Sequence, residues 1–92
     1  MVIGNKKSEE VSAFSVYPNP FTNYPKIELN DYAANLDVDM KVYDVFGKAI
    51  IHQKLSGVNE VNLVEMKNSM PGIYIIEITY GQKGHRQKVI KL

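Results

Sequence analysis

The feature that most constrains the fold of this chain is an alternation of apolar and polar residues with a period of two. In the stretch DVDMKVYD, two aspartates and a lysine alternate with Val38, Met40 and Val42. The stretch IYIIEITY repeats the pattern, with one face formed by Tyr74, Ile76, Ile78 and Tyr80. Because successive side chains of a strand point to opposite faces, this period predicts half-buried β-strands. Helical spacing does not persist anywhere, so the sequence predicts an all-β protein.

Residues typical of tight turns separate the strand-like runs. The sequence YPNP ends a first strand, because proline lacks the amide hydrogen that a sheet ladder needs. DVFG has Asp and Gly where a type I turn favours them, and the PG that ends the crossover MKNSMPG predicts a type II turn. The structural turn residues expected from these signals are Asn19, Pro20, Asp44, Gly47, Pro71 and Gly72. About seven short strands joined by such turns predict an immunoglobulin-like antiparallel β-sandwich.

The chain has 92 residues, which is room for one domain. Residues 1–12 are mostly polar and charged and lack periodicity, so we expect them to be a linker. Residues 13–92 are expected to form the sandwich. The sequence shows neither a secretory signal nor a cargo region, and we therefore expect it to be a piece of a longer protein.

Composition excludes several classes of function. The chain has no cysteine, which rules out disulfides and thiol nucleophiles. Its formal net charge of +1 gives no general attraction to nucleic acid. No apolar run approaches the roughly 18 residues of a membrane helix, so no direct membrane insertion is expected. Glycines occur singly and form no phosphate-binding motif, and no cofactor is expected.

Few side chains suggest chemistry of their own. His52 and His85 lie in no catalytic or zinc-binding motif, so both are expected on the surface and the chain is not expected to be an enzyme. Asp37 and Asp39 predict a solvated acidic face, with a calcium site as the alternative. Four tyrosines serve packing or form a surface for sugars or a partner: Tyr17, Tyr24, Tyr32 and Tyr43. An adhesion or carbohydrate-binding module of a secreted protein is thus one candidate function.

Four stretches, read in order, resemble a known family. They are FSVYPNPFTNYPKIEL, MKVYDVFGKAI, VNLVEMKNSMPGIYIIEI and the closing KVIKL. From Phe14 to Leu92 the chain is similar to the type A C-terminal sorting domain of the type IX secretion system, also called the Por secretion system. The resemblance implies a seven-stranded sandwich at the C-terminus of a secreted protein of Bacteroidota-type bacteria. It implies a secretion signal for a cargo protein, and not an enzyme.

The resemblance also implies partners and a route. Cargo enters the periplasm, and the domain directs it through an outer-membrane translocon with a shuttle protein, to the cell surface or the medium. In that family a sortase, a cysteine peptidase, then cleaves in the linker. Here we expect the cut between about Asn5 and Ala13, because a peptidase needs an extended, accessible backbone.

The residues expected to be recognised by the secretion machinery are Gly72, Tyr74, Lys88, Val89, Ile90, Lys91 and Leu92. The last five form a closing edge strand, and such a strand presents unpaired backbone groups that a partner can pair with. Lys88 and Lys91 are expected to hinder pairing with a second copy, although an edge also permits weak self-association.

Overall fold

The computed structural model describes residues 13–92. These residues form seven strands: β1 (Phe14–Tyr17), β2 (Lys26–Leu29), β3 (Asp37–Tyr43), β4 (Ala49–Ser56), β5 (Glu60–Asn62), β6 (Gly72–Tyr80) and β7 (Lys83–Lys91). A four-residue helix, α1 (Asp31–Ala34), follows β2, and a 3₁₀ helix (Val64–Asn68) joins β5 to β6. Residues 1–12, expected to be a linker, lie outside the described residues.

The strands form two antiparallel sheets that pack face to face. One sheet has the order β1-β2-β5 and the other β4-β3-β6-β7. A single core joins them, with Phe14 and Ile27 from the first sheet and Met40 and Ile76 from the second. The alternation predicted for β3 is present, since Val38, Met40 and Val42 are buried while their neighbours reach solvent. The predicted all-β sandwich of about seven strands is therefore confirmed.

Two short helices stand between strands, at places where the sequence shows no persistent helical spacing. Helix α1 is capped by Asn30, whose side chain accepts a hydrogen bond from the Ala33 amide at 2.8 Å. The sequence contains this signal, because asparagine is a preferred N-cap and Asp31 follows it. The second place is the crossover after β5, where Val64–Asn68 form the 3₁₀ helix and bury Met66. Both helices are too short to show a period of 3.6 residues.

The turns follow the predicted positions with one difference. The Gly47 amide donates to the Asp44 carbonyl at 3.0 Å, and Gly47 has a φ of 82°. This confirms a four-residue turn between β3 and β4. Gly72 also has a positive φ, but its value of 149° differs from the roughly 80° of a type II turn. Gly72 is instead the first residue of β6, in a conformation that side chains other than glycine rarely adopt.

A charged group on the outer face of the larger sheet links β3, β6 and β7. The Arg86 Nε donates to Glu77 Oε2 at 2.9 Å, and the Tyr43 hydroxyl donates to Oε1 at 3.0 Å. The hydrogen bond from Arg86, and to a lesser extent the one from Tyr43, holds the pKa of the Glu77 carboxyl below its ordinary value of 4.5. Burial acts in the opposite direction but is outweighed. These contacts favour the ionised carboxylate.

This contact network predicts a loss of stability in acid. Because the pKa of Glu77 is lower in the folded state, the ionised carboxylate stabilises the fold above the unfolded pKa. This stabilisation disappears as the pH falls through the folded pKa. Thermal unfolding measured from pH 7 to pH 2 is expected to show a shallower acid decline for Glu77→Gln than for the unchanged protein. Equal declines would show that Glu77 contributes nothing to the acid dependence.

In residues 13–92 there is no helix with the length and apolar character needed to cross a membrane.

Candidate functional site

Motifs that are far apart in the sequence meet at one end of the sandwich. Gly72 lies opposite Lys91 in the β6–β7 register, and Tyr74 lies opposite Val89. The turn between β3 and β4 shares a groove with the start of β6. Asn19 reaches the last residues of β7 from the segment after β1. We call this region the terminal end, and it comprises Asn19–Phe21, Asp44–Gly47, Met70–Tyr74 and Lys88–Leu92.

Lys91 is buried at the terminal end, with only 7% of its surface exposed. Its ammonium donates three hydrogen bonds, to the carbonyl oxygens of Met66 at 2.8 Å, Lys67 at 2.9 Å and Ser69 at 2.7 Å. These carbonyls lie at the C-terminal end of the 3₁₀ helix, where the backbone acceptors favour a cation. The Met66 carbonyl also accepts from the Ser69 amide at 3.1 Å. Lys91 therefore fastens the end of β7 to the crossover that joins the two sheets.

Asn19 fastens the same strand from its outer side. Its Nδ2 donates to the Lys88 carbonyl at 3.0 Å, and its Oδ1 accepts from the Ile90 amide at 3.0 Å. Phe21 continues this pairing, since its amide donates to the Ile90 carbonyl and its carbonyl accepts from the Leu92 amide, both at 2.9 Å. The Phe21 side chain is 1% exposed and anchors the segment in the core.

The expectation of a free edge at the end of the chain is therefore wrong. The strand β7 is at the edge of its sheet, but the Asn19–Phe21 segment covers it from Lys88 to Leu92. The expected role of Lys91 as an exposed guard against self-pairing is also wrong, because its ammonium is enclosed by carbonyls. Lys88, by contrast, is exposed as expected.

Parity along the strand divides the closing residues into two groups. Val89 and Lys91 point into the sandwich and are buried. Lys88, Ile90 and Leu92 have the other parity, and Leu92 is 67% exposed. Tyr74 is also buried, and its hydroxyl donates to the Met70 carbonyl. Of the residues expected to be recognised by a partner, those whose side chains reach solvent are thus Lys88, Ile90 and Leu92, with Gly72 partly accessible in its backbone.

The tyrosines proposed as a sugar-binding surface lie apart. Tyr17 is on the outer face of the smaller sheet, where its hydroxyl donates to Glu28. Tyr43 is on the opposite outer face, bonded to Glu77. Tyr32 on α1 packs edge-on against Tyr80, and Tyr24 packs against the core. The structure therefore does not bring the four rings into one binding surface.

The acidic and histidine candidates form ordinary contacts on the larger sheet. Asp39 contacts His52 Nε2 at 3.0 Å and Lys54 Nζ at 3.6 Å, and the hydrogen bond from His52 holds the pKa of Asp39 below its ordinary value. Asp37 accepts from the Ser56 hydroxyl at 2.7 Å. Residues 13–92 contain no group of three or more side chains suited to a metal ion. His85, partly buried, stacks on Tyr80.

Comparison with known families matches residues 15–92 to a model described as a secretion system C-terminal sorting domain. The match covers most of the chain and includes every part of the terminal end. Among curated proteins, no match was found.

Proposed function

The chain belongs to the family of type IX secretion C-terminal sorting domains, and from this premise we propose that its terminal end is the surface that the secretion machinery reads. The domain is the C-terminal sorting signal for type IX secretion. It therefore interacts with that machinery, and the protein that carries it is secreted or displayed on the cell surface through the outer membrane.

The proposal for recognition rests on one observation, which is that separate family motifs meet at the terminal end. Within it, Lys88, Ile90 and Leu92 are proposed to contact the machinery, because their side chains point outward. Gly72, Tyr74, Val89 and Lys91 are proposed to act indirectly, by holding those side chains in place. Pairing of a partner with the backbone edge is not part of the proposal, since Asn19 and Phe21 already occupy it.

The finer steps of export are also proposals. The partners are an outer-membrane translocon and a shuttle protein, reached after transit through the periplasm. A sortase then removes the domain at a bond before Ala13. Ala13 is 1% exposed and its carbonyl accepts from the Asn30 amide at 2.9 Å, so Ala13 itself is part of the packed fold. A peptidase needs an extended and accessible backbone, which favours cleavage upstream. The domain is proposed to have no catalytic activity of its own, and its family is not an enzyme family.

An export assay tests the recognition surface. The full chain is fused to the C-terminus of a periplasmic reporter in a bacterium that has the type IX system. The unchanged fusion is expected outside the cell, and the double change Lys88→Glu with Leu92→Ser is expected to lower the exported fraction by about tenfold or more, the effect typical of losing contact hot spots. Both side chains are exposed, so the domain is expected to remain folded.

The matched control is Lys83→Glu, an exposed lysine at the opposite end of β7. It changes the net charge as Lys88→Glu does, and export is expected to continue. If the unchanged fusion stays in the periplasm, the domain is not a sufficient signal. If the double change exports normally, the closing residues are not the contact surface.

A further inference from the structure

The terminal end carries apolar side chains that the fold leaves in water. Phe46 is 91% exposed, Met70 76%, Val45 63% and Ile73 42%. We call these residues the Phe46 surface. They come from two separate segments, the β3–β4 turn and the stretch from Met70 into the start of β6. Single exposed apolar residues are common, but a group of four neighbours is a typical mark of a binding surface.

The Phe46 surface is shaped by two grooves that share Val45 and Ile73 as walls. One, of about 450 Å³, extends over the sheet face to Tyr43 and Ile75. The other, of about 340 Å³, lies between Phe46 and Met70 and has Tyr74 in its wall. Leu92 follows Lys91, the register partner of Gly72, so the surface continues into the closing residues. The two grooves together offer room for apolar side chains of a partner.

The rim of the Phe46 surface is positively charged. Lys48 directly follows the turn and Lys88 lies opposite Ile75, and neither forms an ion pair within residues 13–92. Asp44 lines both grooves, and its carboxylate accepts hydrogen bonds from the Phe46 and Lys48 amides, both at 2.9 Å. Its one negative charge is outnumbered by the two lysines, so the rim keeps a net positive charge. Glu77 is neutralised by Arg86. A partner surface that matches this rim carries carboxylates.

We propose that the Phe46 surface docks on a protein of the secretion machinery whose contact site is apolar and bordered by acidic side chains. This inference rests on the proposed function and adds to it a second contact beside Lys88, Ile90 and Leu92. Phe46 is the anchor, because it is the most exposed of the large apolar side chains among residues 13–92 and aromatic residues dominate contact energies.

Charge and shape favour this occupant over two others. A second copy docked through the same surface brings the Lys48 and Lys88 side chains of both copies together, which is repulsive. A lipid bilayer presents no ridges to fill the two grooves, whereas a folded protein does. A protein partner whose contact site is apolar and bordered by acidic side chains therefore matches both the positive rim and the concave grooves of the Phe46 surface.

The test uses the same reporter fusion with the full chain. Phe46→Ser combined with Ile73→Ser is expected to lower export by about tenfold or more. Lys48→Glu is also expected to lower export. The purified Phe46→Ser chain is expected to unfold at an unchanged temperature, because Phe46 is 91% exposed, and export of this single variant is expected to fall as well. The double variant is expected to unfold at a slightly lower temperature, because Ile73 is 42% exposed and lies in β6. The matched control is Tyr32→Ser with Val64→Ser, two exposed apolar residues outside the terminal end, for which export is expected to remain normal.

The outcomes separate this inference from the proposed function. If the unchanged fusion is not exported, the proposed function fails. If it is exported and the Phe46→Ser, Ile73→Ser variant is exported equally well, the docking surface fails while the sorting function stands. Two further results would overturn it: Phe46-dependent dimers of the purified chain in sedimentation, or Phe46-dependent binding to phosphatidylglycerol vesicles.

Discussion

Lys91→Met is expected to lower the free energy of unfolding by about 2–4 kcal/mol, because three backbone carbonyls at a buried site lose the ammonium that donates to them. The change keeps much of the apolar volume of the side chain but removes the donors to the Met66, Lys67 and Ser69 carbonyls. Those acceptors at the end of the 3₁₀ helix then lack their cation. For a domain of this size the melting temperature should fall by roughly 10–30 °C.

The neighbouring lysine supplies the control for this experiment. Lys88→Met makes the same chemical change on the same strand, but Lys88 is exposed. Its effect on stability is expected to stay within about 0.5 kcal/mol. Urea unfolding of the two variants measures the difference directly. Equal stabilities would mean that the Lys91 ammonium does not fasten β7 to the crossover.

Phe21→Ala is expected to have a still larger effect, about 3–5 kcal/mol, which is typical of a buried phenylalanine replaced by alanine. The Phe21 side chain is in the core, and its backbone pairs with Ile90 and Leu92. The cavity therefore weakens both the core and the segment that covers β7. Since small domains are stable by only about 5–15 kcal/mol, this variant loses a large part of its stability, and its melting temperature is expected to fall by roughly 12–40 °C.

Phe46→Ala is the matched control, because it removes the same side chain from a site that is 91% exposed. Its stability is expected to be nearly unchanged. Phe21→Leu provides a milder change that keeps the domain folded, so that the covering segment can be studied in a native protein. If Phe21→Ala melts at the same temperature as Phe46→Ala, the Asn19–Phe21 segment is not anchored as described.

The sequence was sufficient to predict the sandwich because its signals are local. Alternation identified the buried faces of β3 and β6, and turn residues such as Asp44 and Gly47 placed the ends of strands. The resemblance of four ordered stretches indicated the family that the comparison then matched. Each of these signals depends on residues close together in the chain.

The terminal end was predicted less well because its contacts join distant residues. Asn19 and the backbone of Lys88 and Ile90 are about 70 residues apart in sequence, and nothing near Asn19 indicates that its side chain covers an edge. The burial of Lys91 did have a signal. Val89 and Lys91 share a face by parity, so an inward Val89 places the lysine inside. Lysine is almost never fully buried without partners, and the three carbonyls that provide them were not visible in the sequence.

Amide hydrogen exchange at Ile90 and Leu92 in the intact chain tests most directly whether the Asn19–Phe21 segment closes the edge of β7. The Ile90 amide donates to the Asn19 side chain and the Leu92 amide donates to the Phe21 carbonyl. If the Asn19–Phe21 segment closes the edge of β7, both amides exchange slowly, on the order of a hundredfold or more below the rate in an unstructured peptide. Asn19→Ala is then expected to accelerate exchange of the Ile90 amide. Exchange of both amides at the unstructured rate would show that the edge is open, and recognition by strand pairing would then replace recognition by outward side chains.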